Sequence, residues 1–168
     1  MQHIARFMKV SPERFAADWA AAFPGAPDPW ADIRLPRRAT AGSAGYDFFA
    51  PMDFELRAGE AIKLPTGVRA RIDAGWVLML FPRSGLGFKY RLMLNNTVGV
   101  VDADYFEAEN EGHIFIKLTN AGDRTLSVRA GEAFAQGVFL PYGVTEDDDA
   151  DAARIGGFGS TDQQEGRQ

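Results

Sequence analysis

The order of apolar and polar residues divides the chain into stretches of different period. Residues 2–9 (QHIARFMK) alternate roughly and predict a short strand. Ser11-Pro12-Glu13 then predicts a helix start. Serine suits the N-cap, proline is tolerated in the first turn, and a glutamate there meets the positive helix end. Phe15, Trp19 and Phe23 recur every four residues with Ala16 and Ala20 beside them, which gives the helix one apolar face. Pro24-Gly25 ends it, and GAPDPW is a connector.

From Ile33 onward the pattern is strand and turn. Val68, Ala70 and Ile72 alternate with Arg69, Arg71 and Asp73, as in a half-buried strand. Ile114, Ile116 and Leu118 alternate with Phe115, Lys117 and Thr119 in the same way. Trp76 to Phe81 is continuously apolar, which predicts burial on both faces. Glycine and proline punctuate these runs at short intervals, as in an all-β sandwich or barrel. The pentapeptide RAGEA occurs at 57–61 and again at 129–133. It is too short for a repeat unit and reads as one hairpin turn used twice. After Tyr142 the character changes. TEDDDADAAR is acidic with few large apolar residues, hence a solvated linker, and it leads to the glycine-rich IGGFGSTDQQ. Phe158 has nothing local to pack on there, so a ligand or another subunit is its expected partner. The expected division is a β domain at 1–143, with residues 1–30 as an N-terminal strand and helix extension, and a linker and tail at 144–168.

Composition narrows the function classes. The 168 residues, 46% hydrophobic and 24% charged, suit one globular domain with a modest tail. No apolar run approaches the roughly 20 residues of a membrane helix, and MQHIARFMKV lacks a signal-peptide core. With no cysteine, disulfides and thiolate metal ligands are excluded. Two histidines, His3 and His113, are too few for a histidine metal cage, and His113 reads as structural. Trp19 and Trp30 read as packing residues. A net charge of −5 argues against a nucleic-acid-coating surface, although a locally basic pocket still admits an anionic nucleotide.

Three short stretches carry candidate chemistry. Pro-Arg-Ser-Gly-Leu-Gly (82–87) follows the apolar strand and offers a cationic fork, a hydroxyl and turnable amides, the groups that bind phosphate. On this hexapeptide alone, a surface arginine beside a plain turn is the simpler reading. Residues 95–105 run Asn-Asn-Thr-Val-Gly-Val-Val-Asp-Ala-Asp-Tyr. An aspartate at the end of a buried strand, Asp102, is expected to be partly desolvated and so a better base. Asn96 has the donor and acceptor that a pyrimidine edge requires, and Tyr105 a flat face for a sugar. A hairpin with turn-favouring Asn and Asp explains the same residues. Residues 41–47 form a small-residue loop ending in Asp47, a carboxylate suited to Mg²⁺ held through water, or simply a solvated turn residue. Asp147-Asp148-Asp149 reads as linker, because consecutive carboxylates repel and do not converge.

Taken in order, these stretches resemble the five motifs of the trimeric dUTPase family. AGSAGYDF (41–48), preceded by LPRRAT, is similar to the first motif, PRSGLG (82–87) to the second and NTVGVVDADY (96–105) to the third. GEAFAQ (131–136) is similar to the fourth and RIGGFGST (154–161) to the fifth. The resemblance implies an all-β protomer, a distorted β-barrel or jelly-roll-like fold (the β-clip) with one short N-terminal helix, in a cytoplasmic homotrimer with shared sites. It implies Mg²⁺-assisted hydrolysis of dUTP to dUMP and pyrophosphate by water attack on the α-phosphate, which keeps uracil out of DNA and supplies dUMP. No nucleic-acid or membrane partner is implied. Asp102 matches the general base. Asn96, with the backbone of Gly99, Val100 and Val101, matches the uracil reader, and Tyr105 the ring under deoxyribose. Arg83, Ser84 and Gly85 match the phosphate loop, with Gln136 in support, and Asp47 the Mg²⁺ carboxylate. Arg154, Gly159, Ser160 and Thr161 match the tail's phosphate clamp, and Phe158 the lid over uracil.

The sequence departs from the common pattern in four places. Ala133 stands where a basic residue is frequent, and Asp162 where glycine is usual. FEAENEG (106–112) lengthens the segment after Tyr105, and the extension to about Trp30 lies outside the core resemblance and is expected to cover a sheet or subunit edge. Two rivals remain open at this point: a dCTP deaminase, which shares the fold and would use a glutamate, and a nucleotide-binding regulatory trimer with little turnover.

Overall fold

A computed structural model describes residues 2–150 of the chain. Most elements are strands, and every strand pair is antiparallel. The extension supplies β1 (Ala5–Lys9) and helix α1 (Pro12–Ala22). Ser11 caps α1 as expected, its side chain accepting a hydrogen bond from Arg14 N at 3.1 Å. Phe15 and Trp19 are buried, and α1 packs on β5 (Ala61–Pro65). Burial of side chains this size stabilises by about 1.5–3 kcal/mol each, which accounts for an 11-residue helix holding its place. Strand β1 pairs with β6 (Val68–Ile72), from Ala5 opposite Ile72 to Lys9 opposite Val68. The extension therefore covers a strand edge within its own chain, as expected.

Between these come β2 (Arg37–Arg38), β3 (Tyr46–Phe49) and β4 (Phe54–Leu56). Strand β7 (Trp76–Pro82) leads into a second helix, α2 (Ser84–Tyr90), which the sequence pattern does not predict. Then follow β8 (Leu92–Leu94), β9 (Gly99–Val101), a 3₁₀ turn at Ala103–Glu107, β10 (Phe115–Asn120), β11 (Leu126–Val128) and β12 (Ala133–Pro141). The largest sheet runs β2-β3-β12-β7-β9, beside a sheet β5-β10-β8 and the pairs β1-β6 and β11-β4. The all-β, jelly-roll-like expectation holds, but the described sheets do not close into a barrel.

Two readings of the pattern are corrected. The RAGEA segments do form the same turn. Gly59 (φ +81°) and Gly131 (φ +78°) take the left-handed position, and the amides of Arg57 and Arg129 each donate to the glutamate three residues on, Glu60 and Glu132. They do not close hairpins, however. β4 and β11 pair with each other, and each turn carries the chain out of that pair into a different sheet. Strand β7 is buried on one face only. Leu78 and Leu80 are buried, whereas Val77, Met79 and Phe81 on the other face are only half-buried. Register adds to that open face Val138 and the exposed Val100 opposite Met79, and the exposed Leu140 opposite Val77. On the inner face β12 lies close against β7. A Cβ on Gly137 would stand 2.8 Å from Leu78 Cδ1, so a side chain there would force its neighbours to shift.

Candidate active site

The candidate phosphate residues converge on the outer face of the large sheet. Gln136 stands in register between Asp47 on β3 and Phe81 on β7. Its Nε2 donates to Pro82 O at 3.2 Å, and its Oε1 lies where a Cβ on Gly45 would be only 2.6 Å away. A side chain in place of the glycine before Tyr46-Asp47 would displace that amide. Arg83 Nε reaches Asp47 Oδ1 at 3.2 Å, joining the first and second motifs. Arg83 is also the N-cap residue of α2, so the expected loop is a strand-to-helix junction. Ser84 and Gly85 form its exposed first turn, where backbone N–H groups have no intrahelical acceptor. The same junction borders a shallow cavity of about 270 Å³ lined by Pro82, Arg83, Ser84, Gly87 and Phe88.

The candidate nucleoside residues gather elsewhere. Asn96 and Tyr105 line a cavity of about 480 Å³ together with Lys63, Asn95, Asn110, Phe115 and Lys117. The turn carrying Asn96 is tight: Thr97 has φ +61°, and Thr97 N donates to Leu94 O at 3.0 Å. Gly99 is buried on β9, where a Cβ would press on Leu80 at 3.0 Å, while Val100 faces outward and Val101 inward. Tyr105 is 2% exposed and contributes to the cavity wall. Its hydroxyl donates to His113 O and accepts from Asn110 Nδ2, both at 2.7 Å.

Asp102 follows β9 directly and is exposed, so the desolvation expected from the sequence does not arise within one chain. Alternation places it on the same side as Val100. Extending the ladder one residue brings Asp102 level with Val77, whereas Gln136 stands level with Phe81 on the opposite flank of β7. Four residues along a strand is roughly 13 Å, before the width of the sheet is added. A single chain thus keeps its candidate base apart from its own phosphate residues. Arg154, Phe158, Gly159, Ser160, Thr161 and the departure at Asp162 lie outside the described residues.

A family model described as dUTPase matches residues 31–162. The chain is 42% identical over 134 residues to the deoxyuridine 5'-triphosphate nucleotidohydrolase of Lactococcus lactis, covering 78% of this chain and 89% of that protein. The chain belongs to the dUTPase family. The protein of the same name from Pectobacterium carotovorum is 41% identical over 133 residues, covering 74% of this chain and 84% of that one. Among solved structures, the dUTPase of Streptococcus mutans superposes with a TM-score of 0.62 at 37% identity, covering 83% of this chain and 98% of that one. The dUTPase of Staphylococcus bacteriophage 80alpha shares the fold at 20% identity, with a TM-score of 0.64 and coverage of 90% and 98%.

The family match begins at residue 31, after β1 and α1. Near Ala133, Arg34 stands 4.0 Å over the Phe49 ring and donates to Gly131 O at 2.9 Å, so a cation from another position lies close to that strand end. Residues 106–112 are not a loose loop. Arg69 lies 3.6 Å over the Phe106 ring and donates to Phe106 O, and Glu111 accepts from Ser11 N at 2.8 Å and Ser11 Oγ at 2.6 Å. Sequence reasoning missed Asn110, Lys63 and Lys117 in the cavity wall. The lysines meet only through the β5–β10 register, which no local pattern reveals.

Proposed function

We propose that this dUTPase-family chain hydrolyses dUTP to dUMP and pyrophosphate in the cytoplasmic nucleotide pool, at sites shared between copies in a homotrimer. The observation that carries the reading is the convergence of Asp47, Arg83 and Gln136 on one sheet face, away from Asp102 and the Asn96–Tyr105 cavity of the same chain. The open apolar face formed by Val77, Met79, Val100, Val138 and Leu140 supports packing between copies. Such packing would bring one copy's phosphate residues to another's nucleoside cavity.

In this reading Asn96 pairs with the uracil edge, with backbone groups of Gly99, Val100 and Val101 beside it. Tyr105 supports deoxyribose where a 2′-hydroxyl would clash. Arg83 and the first-turn amides of Ser84 and Gly85 hold phosphate oxygens, and Gln136 supports them. Asp102 takes a proton from the water that attacks the α-phosphorus, and pyrophosphate leaves. The tail residues Arg154, Gly159, Ser160 and Thr161 clamp phosphate, and Phe158 covers the base. Among the described residues no cluster of three or more acidic or histidine side chains forms a metal cage. A lone carboxylate, Asp47, fits an ion held mainly by substrate phosphates and water, as Mg²⁺ usually is, which would offset the triphosphate charge.

The test is incubation with Mg²⁺ and dUTP, dCTP, dTTP or UTP in parallel, with product identification. Formation of dUMP and pyrophosphate from dUTP alone is expected. Asp102→Asn should lower kcat by about 10²–10⁴ with an unchanged melting temperature. Deamination of dCTP, or dUTP binding without turnover, would overturn the reading.

A further inference from the structure

The 3₁₀ turn and the loop after it hold Tyr105 more firmly than packing alone requires. The Tyr105 hydroxyl is used twice, donating to His113 O and accepting from Asn110 Nδ2. Asn110 is fixed in turn, its Oδ1 accepting from Gly112 N at 3.2 Å. Gly112 has φ +67°, and a Cβ there would lie 2.6 Å from Tyr105 O, so the loop is folded tightly back on the turn. His113 is fully buried and is held from both ring nitrogens. Gly67 N donates to Nε2 at 2.8 Å, which leaves the proton on Nδ1, and Nδ1 donates to Asp18 Oδ2 at 2.6 Å. Asp18 on α1 thus fixes the His113 ring, and the backbone carbonyl of the same residue receives the Tyr105 hydroxyl. Glu111 ties the same loop to Ser11 at the start of α1.

We propose that Asn110 and the Asp18–His113 pair are positioning residues for the sugar platform, so that α1 and residues 106–112 take part in discriminating deoxyribose from ribose. The inference rests on the reading of Tyr105 as the ring beneath the sugar. Rejection of one extra hydroxyl by a steric fit works only if the ring cannot yield, and an engineered site tolerates roughly 0.5 Å of displacement. Hydrogen bonds at the far end of the ring supply that constraint. Asn110 also lines the cavity itself, next to Asn96 and Tyr105.

The experiment compares dUTP and UTP kinetics for the full-length protein and for Asn110→Ala, Asp18→Asn, Tyr105→Phe and the double variant Tyr105→Phe/Asn110→Ala. Asn110→Ala and Asp18→Asn should raise KM for dUTP and lower the dUTP-to-UTP ratio of kcat/KM by about tenfold, less than the roughly 100-fold that a 1 Å misplacement costs. The double variant should be no worse than Tyr105→Phe, because Asn110 acts through that hydroxyl. A fall in melting temperature with an unchanged ratio would overturn the inference and leave these residues as fold stabilisers. If Asp18→Asn does not fold, Asn110→Ala in its half-buried loop decides alone. Absence of dUTP turnover by the wild type would be a failure of the proposed function instead, and the inference would then stand or fall on the same ratio of dissociation constants.

Discussion

His113 shows how far single residues can be read from the chain. Burial pushes its imidazole below the ordinary value of 6.5, against the opposing pull of Asp18. Desolvation pushes the Glu111 carboxyl up, but the hydrogen bonds from Ser11 and the charges of Arg69 and Arg14 outweigh this and hold it below the ordinary 4.5. In both cases the folded state binds protons less readily than the unfolded chain. Their contribution to stability is therefore present above those ordinary values and is lost as pH falls through them. Denaturant midpoints should decline between about pH 7 and 5, and His113→Gln should flatten that decline. Parallel curves for the two proteins would show that His113 does not carry the effect. The sequence marked His113 as structural because it lacks companions at ligand spacing, and the structure buries it. It could not show Gly67 or Asp18 as its ring partners, since these come from separate segments. For Asp102 the sequence misled: an apolar run predicts a buried strand, but the residue after it falls on the outward side.

At the scale of elements, alternation was a good guide where one face is buried, as in β6 and β10. The Ser11 cap and the four-residue spacing of Phe15, Trp19 and Phe23 were equally legible in α1. Helix α2 was not, because Gly85 and Gly87 in a seven-residue helix run against propensity. The RAGEA turns were legible as turns but not as exits between sheets, since strand pairing is set by distant partners. Two substitutions test the packing. Phe15→Ala should cost about 3–5 kcal/mol in equilibrium unfolding, because the side chain anchors α1 in the core. Gly137→Ala should cost about 1–3 kcal/mol, because its Cβ would press on Leu78 between β12 and β7. A loss below about 0.5 kcal/mol at either site, typical of surface positions, would contradict that packing.

At the scale of the molecule, the candidate chemistry is distributed. The first, second and fourth motifs meet in space, and the third lies apart from them. Asp47, Arg83 and Gln136 meet on one region of the sheet, and Asn96 and Tyr105 line another cavity. That separation is not legible in the sequence, because it follows from the β7 register with β9 and β12. Sharing of sites between copies explains both the separation and the open apolar face. The most direct measurement is complementation between two variants, Asp102→Asn and Arg83→Ala, each expected to be inactive alone. The two chains are refolded together and assayed for dUMP release. If a site takes Asp102 from one copy and Arg83 from another, mixed assemblies will contain some sites with both residues intact, and activity will return. If each chain builds its site alone, the mixture will stay as inactive as its components, and the shared-site account will be wrong.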